Sequence, residues 1–312
     1  MAALEMIDVS RSFGKGDRAV HALRHVGLTV EQGETVGLLG TNGAGKTTML
    51  KVISTLLLPT AGTVRVAGID VVRNTRQARH ELSVVLGGER GFYGRLNARD
   101  NLRYFGILSG LSRRDAARRS EQVLDQVGLL DVADRAVETY SKGMKQRLHI
   151  ACGLLTTPTL LMLDEPTVGL DPIEAERVRV SIAELRDSGV TTLLTSHYLV
   201  DIERLARRVV ILQSGRITHD LPLDRLMERA SAAAEVSLSG VGRPPEATED
   251  VIHGVRVVRS GPTEVGWNVT FEVRDWSPGA LRALADLWPE AEVGEVRVLP
   301  ANLESVFAQL TR

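Results

Sequence analysis

The sequence predicts an α/β fold built on a parallel sheet, with a small α+β domain after it. Three observations predict this. An apolar run, Thr35-Val36-Gly37-Leu38-Leu39, feeds the glycine-rich stretch Gly40-Thr41-Asn42-Gly43-Ala44-Gly45-Lys46-Thr47-Thr48, and Met49-Leu50-Lys51-Val52-Ile53 then starts a helix. That is the strand, loop and helix order of a phosphate-binding loop. From there to about residue 217, strand-like runs alternate with helical stretches, the pattern of a parallel sheet with crossovers. Near residues 221–240 the character changes to short alternating strands.

Residues 1–35 alternate apolar and polar positions around a turn-rich Gly14-Lys15-Gly16-Asp17, which predicts antiparallel strands. Residues 62–68 add another strand, 75–81 read as a polar helix, and Leu82-Ser83-Val84-Val85-Leu86 as a buried strand. A glycine-rich loop, 87–91, precedes three helical stretches at 97–109, 113–127 and 142–155. Leu160-Leu161-Met162-Leu163 is a buried strand, 173–188 a helix, 191–195 a strand and 211–217 a hairpin. Beyond the change of character, strands are expected at 234–238, 255–259, 267–273 and 292–299. Helices are expected from Ser277-Pro278 to Leu287 and at 303–310, the first opened by an N-cap serine and a proline at the first helical position. The expected domains are therefore 1–220, with a helical subdomain at about 88–150, a linker at 221–234, and a small α+β domain at 235–312.

Composition narrows the class. The 312 residues are 43% hydrophobic and 25% charged, with 38 Lys+Arg against 39 Asp+Glu and a net charge of -1. That balance makes no electrostatic case for nucleic acid or an anionic membrane surface. No apolar stretch is long enough to span a bilayer, and the first residues lack a signal-peptide pattern. The single cysteine, Cys152, excludes an internal disulfide and sits among apolar neighbours, as a buried inert thiol does. A cytoplasmic protein is expected, with any membrane role requiring a separate chain.

The glycine loop suits a polyphosphate because glycines bring backbone N–H groups close to the anion, at a helix N-terminus that favours negative charge. Lys46 is expected to reach the β/γ oxygens and Thr47 to ligate Mg²⁺. Leu160–Leu163 ends in Asp164-Glu165, which puts two carboxylates at the edge where α/β sheets bind ligands. Asp164 suits the metal and Glu165 suits the attacking water. Ser141-Lys142-Gly143-Met144-Lys145-Gln146-Arg147 opens a helix between these two motifs.

At this point the chain resembles the ATP-binding cassette (ABC) ATPases. Ser141 to Arg147 is similar to their signature, Asp164-Glu165-Pro166-Thr167 to their Walker B motif, Val168-Gly169-Leu170-Asp171 to their D-loop, and Ser196-His197 to their H-loop. The resemblance covers about residues 1–220. It implies a P-loop (RecA-like) ABC ATPase core with an antiparallel β subdomain and a helical subdomain. It implies ATP and Mg²⁺ as cofactors, and two cassettes packed head to tail as a homodimer. Ser141 and Gly143 would then face the γ-phosphate held by the other copy, and Asp171 would act across the dimer. Glu165 would be the general base, and His197 would hold it and the water in line, although an isolated histidine is more often structural. Phe13 is either the aromatic that stacks on adenine or a plain core phenylalanine.

Two departures stand out. Gly87 occupies the place of the family's Q-loop glutamine, so water or Glu89 is expected to complete the metal shell. Lys142 and Met144 replace the commoner Gly and Gln of the signature. Both, with residues 88–96 and the closing Asn302-Leu303-Glu304-Ser305-Val306-Phe307, resemble the ABC-2 branch and its daunorubicin-resistance-type ATPases. The implied partner is an ABC-2-type transmembrane permease on the cytoplasmic face of the membrane, with no nucleic acid. Phe92 and Tyr93 are either core aromatics or part of its docking site. The implied function is to power an exporter. The alternatives are an importer subunit whose C-terminal module regulates, and a non-transport ABC ATPase. Trp267, Trp276 and Trp288 in the last domain read as structural core rather than a ligand site.

Overall fold

The computed structural model describes residues 1–14, 16, 19–86, 91–231, 234–242, 250–252, 255–263, 266–273, 276–286 and 293–300. Two compact units divide the chain, Met1–Pro222 and Leu223–Arg312.

The first unit carries two sheets. Strands β1 (Ala2–Phe13), β2 (Val20–Glu31), β4 (Ala61–Val66) and β5 (Ile69–Asp70) form an antiparallel sheet in the order β2-β1-β4-β5. The central sheet contains β3 (Thr35–Leu39), β6 (Leu82–Leu86), β7 (Leu160–Asp164), β8 (Thr192–Thr195), β9 (Arg208–Gln213) and β10 (Arg216–Pro222), ordered β10-β9-β3-β8-β7-β6. All of its pairs are parallel except the closing β9–β10 hairpin. Every residue of β3 and β8 is buried, as are the first four of β7. Such continuous apolar strands are what a parallel sheet needs when both faces are covered. Leu4, Leu23, Leu38, Met49, Ile53, Met162 and Leu193 belong to one core that joins the two sheets.

Helices α1 (Lys46–Ile53), α2 (Thr75–His80), α3 (Ala98–Leu108), α4 (Arg113–Gln126), α5 (Lys142–Leu154), α6 (Pro172–Asp187) and α7 (Leu199–Leu205) complete this unit. Four of them begin on side-chain caps. Asn97, Ser112, Ser141 and Asp171 each accept a hydrogen bond from a backbone N–H in the first turn of α3, α4, α5 and α6.

In the second unit, α8 (Leu223–Ser231) precedes β11 (Ala234–Val241), β12 (Asp250–Ile252), β13 (Val255–Pro262), β14 (Gly266–Val273), α9 (Pro278–Asp286) and β15 (Val293–Pro300). Its strands pair antiparallel in the order β12-β13-β14-β11-β15. Val236, Leu238, Trp267, Val269 and Phe271 form its core with Leu284, and Trp276 and Ala280 pack against it.

The α/β core, the antiparallel sheet, the helical stretches and the α+β module follow the expected pattern. The differences are local. Helix α7 was not expected, being only seven residues long. The stretch read as a linker carries α8. The two-residue β5 and three-residue β12 are too short to show a period. Trp267 and Trp276 sit in or against the core, while Trp288 and the helix expected at 303–310 lie outside the described residues. Among the described residues, no helix is long and apolar enough to cross a membrane.

Candidate active site

The register of the central sheet brings the site together. Thr195, the last residue of β8, pairs with Leu38 on one side and Asp164 on the other. The loops leaving β3, β7 and β8 therefore emerge side by side at the C-terminal edge.

The loop after β3 turns through Gly43 at φ 81° and Gly45 at φ 111°, both left-handed. A Cβ on Gly45 would collide with the Ala22 carbonyl, and one on Gly40 with that of Leu212. Ala44 is buried, Thr41, Asn42 and Gly43 are exposed, and Gly45 caps α1. Thr47 and Thr48 lie in the first turn of α1. The Lys46 ammonium bends back to donate to the Gly40 carbonyl, with the Thr41 carbonyl at 3.4 Å. Burial lowers its pKa from 10.5, and the nearby charges of Glu165 and Asp164 oppose that shift. The arrangement is a glycine loop whose Lys46 ammonium lies within electrostatic reach of two carboxylates.

Those carboxylates are held differently. The Thr195 hydroxyl donates to Asp164 Oδ1 at 2.6 Å. The Glu165 N–H donates to the Thr195 carbonyl at 3.1 Å. Glu165 itself sits at φ 53°, a costly conformation for a non-glycine residue and one that concentrates at functional sites. Its Oε2 accepts from the His197 backbone N–H at 3.1 Å and lies 2.5 Å from His197 Nδ1. Both side chains are partly open to solvent, so a water can reach the carboxylate while the imidazole fixes its direction.

Beneath this edge lies a network that sequence reasoning missed. Asp201 on α7 is fully buried and accepts from Thr167 Oγ1 at 2.5 Å, Ser196 Oγ at 2.7 Å and Arg179 Nε at 2.7 Å. It ties the loop after Glu165, the residue before His197 and helix α6 to one anion. Substituting Asp201→Ala leaves two hydroxyls without this acceptor and, among the described residues, Arg179 with Glu176 alone as its ion-pair partner, 3.3 Å away. Urea unfolding should show a loss of about 3 kcal/mol or more, as for other broken buried charge pairs.

Ser141, Gly143 and Asp171 form a second group where α5 meets α6. Ser141 Oγ accepts from Met144 N at 3.1 Å, and Asp171 Oδ1 accepts from Ile173 N and Glu174 N at 3.0 Å. Gly143 is buried against the Glu174 carboxylate so closely that any Cβ there would overlap it. Glu174 Oε1 accepts from Arg177 at 3.0 Å, whereas its Oε2 and Arg147 Nε are buried without a hydrogen-bond partner among the described residues. Arg147 belongs to the signature stretch read from the sequence, whereas Glu174 carried no signal that would assign it to this junction.

Phe13 is not a core phenylalanine: it is 39% exposed at the end of β1, with Arg11 stacked 4.5 Å above its ring. Gly87 and Glu89, expected around the metal, both lie outside the described residues. Phe92 packs on Phe105 and His149, while Tyr93 is exposed and donates to the Tyr104 hydroxyl at 3.2 Å. The buried Asn101 fixes this segment by accepting from Tyr93 N at 2.8 Å and donating to its carbonyl at 3.1 Å. Burial pushes the Cys152 thiol up to about 11, which keeps it protonated and unreactive at neutral pH.

Comparison with known proteins agrees with this geometry. The family pattern described as ABC transporter matches residues 23–168. The chain is 39% identical over 225 residues to the ABC transporter ATP-binding protein NatA of Bacillus subtilis, covering 72% of this chain and 92% of that one. It is 42% identical over 301 residues to the daunorubicin/doxorubicin resistance ATP-binding protein DrrA of Streptomyces peucetius, covering 95% and 88%. A solved structure of an ATP-binding subunit of an ABC transporter superposes with a TM-score of 0.60 at 31% identity, covering 72% of this chain and 92% of that chain.

Proposed function

This chain belongs to the family of ABC transporter ATP-binding proteins, and from that premise we propose that it is the ATP-hydrolysing subunit of an ABC-2-type exporter. The observation that carries the catalytic part is the contact between Glu165 and His197 beside the Lys46 cradle. Lys46 leaves the Gly40 carbonyl to bind the β/γ oxygens, and the N–H groups of residues 40–48 hold the remaining phosphate charge. Glu165 takes a proton from the attacking water while His197 holds its carboxylate in line. Phe13, exposed at its strand end, is offered as the adenine platform.

Mg²⁺ fits the oxygen donors present: Thr47 in the first turn of α1 and Asp164, whose carboxylate Thr195 already orients. Bound there, it would neutralise charge on the β and γ phosphates.

Ser141, Gly143 and Asp171 serve the second copy, so ATP joins two cassettes and its hydrolysis releases the cassettes from each other. Gly143→Ala is the check. The new Cβ must displace Glu174 and tilt the start of α5. Nucleotide affinity of the separate protomer should hold, while turnover falls about 10²-fold through misplacement of the partner's donors. Equal loss of both would contradict a role in trans.

The export direction is supported by the antibiotic-resistance relative that aligns along 95% of the chain. Exposed Tyr93, Tyr104, Ile107 and Leu108 form an apolar surface suited to a membrane subunit on the cytoplasmic face of the membrane. Co-expression with the membrane protein encoded beside it is the test. Co-purification of a multi-helix permease without its own cassette fits export. Capture of a complex containing a solute-binding protein fits import instead.

A further inference from the structure

Strand β15 is the long edge of the second unit's sheet. It pairs with β11 on one side, and its other side has no strand among the described residues. The opposite edge is the three-residue β12, a length that protects itself. Strand β15 spans eight residues, and four of its apolar side chains stay exposed: Val293 44%, Val296 47%, Val298 39% and Leu299 56%. A folded chain does not ordinarily leave such an edge unpaired.

Its sequence, Val293-Gly294-Glu295-Val296-Arg297-Val298-Leu299, is self-complementary when read antiparallel about Val296. Glu295 then stands opposite Arg297 of a second copy, and Arg297 opposite its Glu295. On the other face Val296 meets Val296. The pairing of β15 with β11 shifts register between Glu295 and Val293, which stands opposite Gly240, so the match rests on Glu295, Val296 and Arg297. Val296 and Val298 pair in register with the buried Leu238 and Val236, so their face continues the core of the unit. Moving the centre to residue 295 or 297 sets like charges opposite each other, which destabilises a sheet. Moving it by half a step would set one copy's apolar face beside the other's polar face. In the single chain Arg297 Nε donates to Glu295 Oε1 at 2.6 Å, both ends exposed and free to exchange partners across an edge.

We propose that β15 pairs antiparallel with β15 of a second copy, about Val296, and joins two C-terminal units into one continuous sheet without nucleotide. Resting on the ATP-driven closure proposed above, this tether would also make that closure effectively intramolecular.

The test uses the full-length chain carrying Cys152→Ser, Lys46→Ala and Val296→Cys, oxidised with copper phenanthroline in the absence of nucleotide. Residues facing their own copy in an antiparallel pair stand about 4.5–5.5 Å apart at Cα, within disulfide reach. A cross-linked dimer is expected, while Val258→Cys, exposed on the interior strand β13, stays monomeric. Adding Glu295→Arg should lower the 296 cross-link by roughly two- to thirtyfold through two like-charge pairs, and adding Arg297→Glu as well should restore it. Absence of the 296 cross-link, equal cross-linking at 258, or a yield indifferent to the charge exchange overturns the proposal. Because Lys46→Ala and the absence of nucleotide remove the ATP-dependent contact, these results are read independently of it.

Discussion

Glu165→Gln should still bind ATP but hydrolyse it roughly 10²–10⁴ times more slowly, the usual contribution of a positioned general base. The substitution keeps the shape of the side chain. The new amide oxygen can still accept from the His197 N–H that Oε2 accepts now, and the loop can keep its left-handed turn at φ 53°. What disappears is the ability to take a proton from water. Lys46 and the glycine loop are untouched, so affinity should change little, and single-turnover assays should show the loss in the chemical step. Near-normal turnover would remove Glu165 from the mechanism and leave its strained backbone without a purpose.

Lys46→Ala should act one step earlier, on binding itself. The ammonium is half-buried in its loop and held by the Gly40 and Thr41 carbonyls and the charges of Glu165 and Asp164. Removing it deletes a charge-assisted contact to the phosphates and leaves two carboxylates facing them. A hydrogen bond to a charged group contributes about 1.5–3 kcal/mol, so the dissociation constant for ATP should rise by roughly ten- to a hundredfold. Fluorescent-nucleotide titration measures it directly. Unchanged affinity combined with lost turnover would instead give Lys46 a purely chemical role.

Much of the site can be read from local patterns alone, for a physical reason. A strand that is buried on both faces must be a continuous apolar run, so Thr35–Leu39 and Leu160–Asp164 stand out, and with them the loops that leave their ends. A loop that wraps an anion needs glycine wherever φ turns positive or a carbonyl approaches, as at Gly43, Gly45 and Gly40. Contacts made only by the fold were not legible. Asp201 lies 34 positions from Thr167 and 22 from Arg179, and nothing near it marks it as the anchor of both. The close approach of Glu174 to Gly143 belongs to the packing of α5 on α6, not to either stretch alone. Helix α7 went unseen because seven residues hold barely two turns of periodicity. Phe13 could be read two ways because burial, which excludes the core alternative, is a tertiary property.

In the proposed cycle, ATP closes the cassettes of two copies on each other and hydrolysis lets the cassettes part, the step on which transport depends. Sedimentation of the Glu165→Gln protein with and without ATP–Mg²⁺, with oligomer size read against concentration in each case, measures it. ATP–Mg²⁺ should shift this protein to a tighter dimer, wild-type chain should revert as it turns the nucleotide over, and Lys46→Ala should show no shift. Association of Glu165→Gln that is indifferent to ATP–Mg²⁺, in a protein that demonstrably binds the nucleotide, would contradict it.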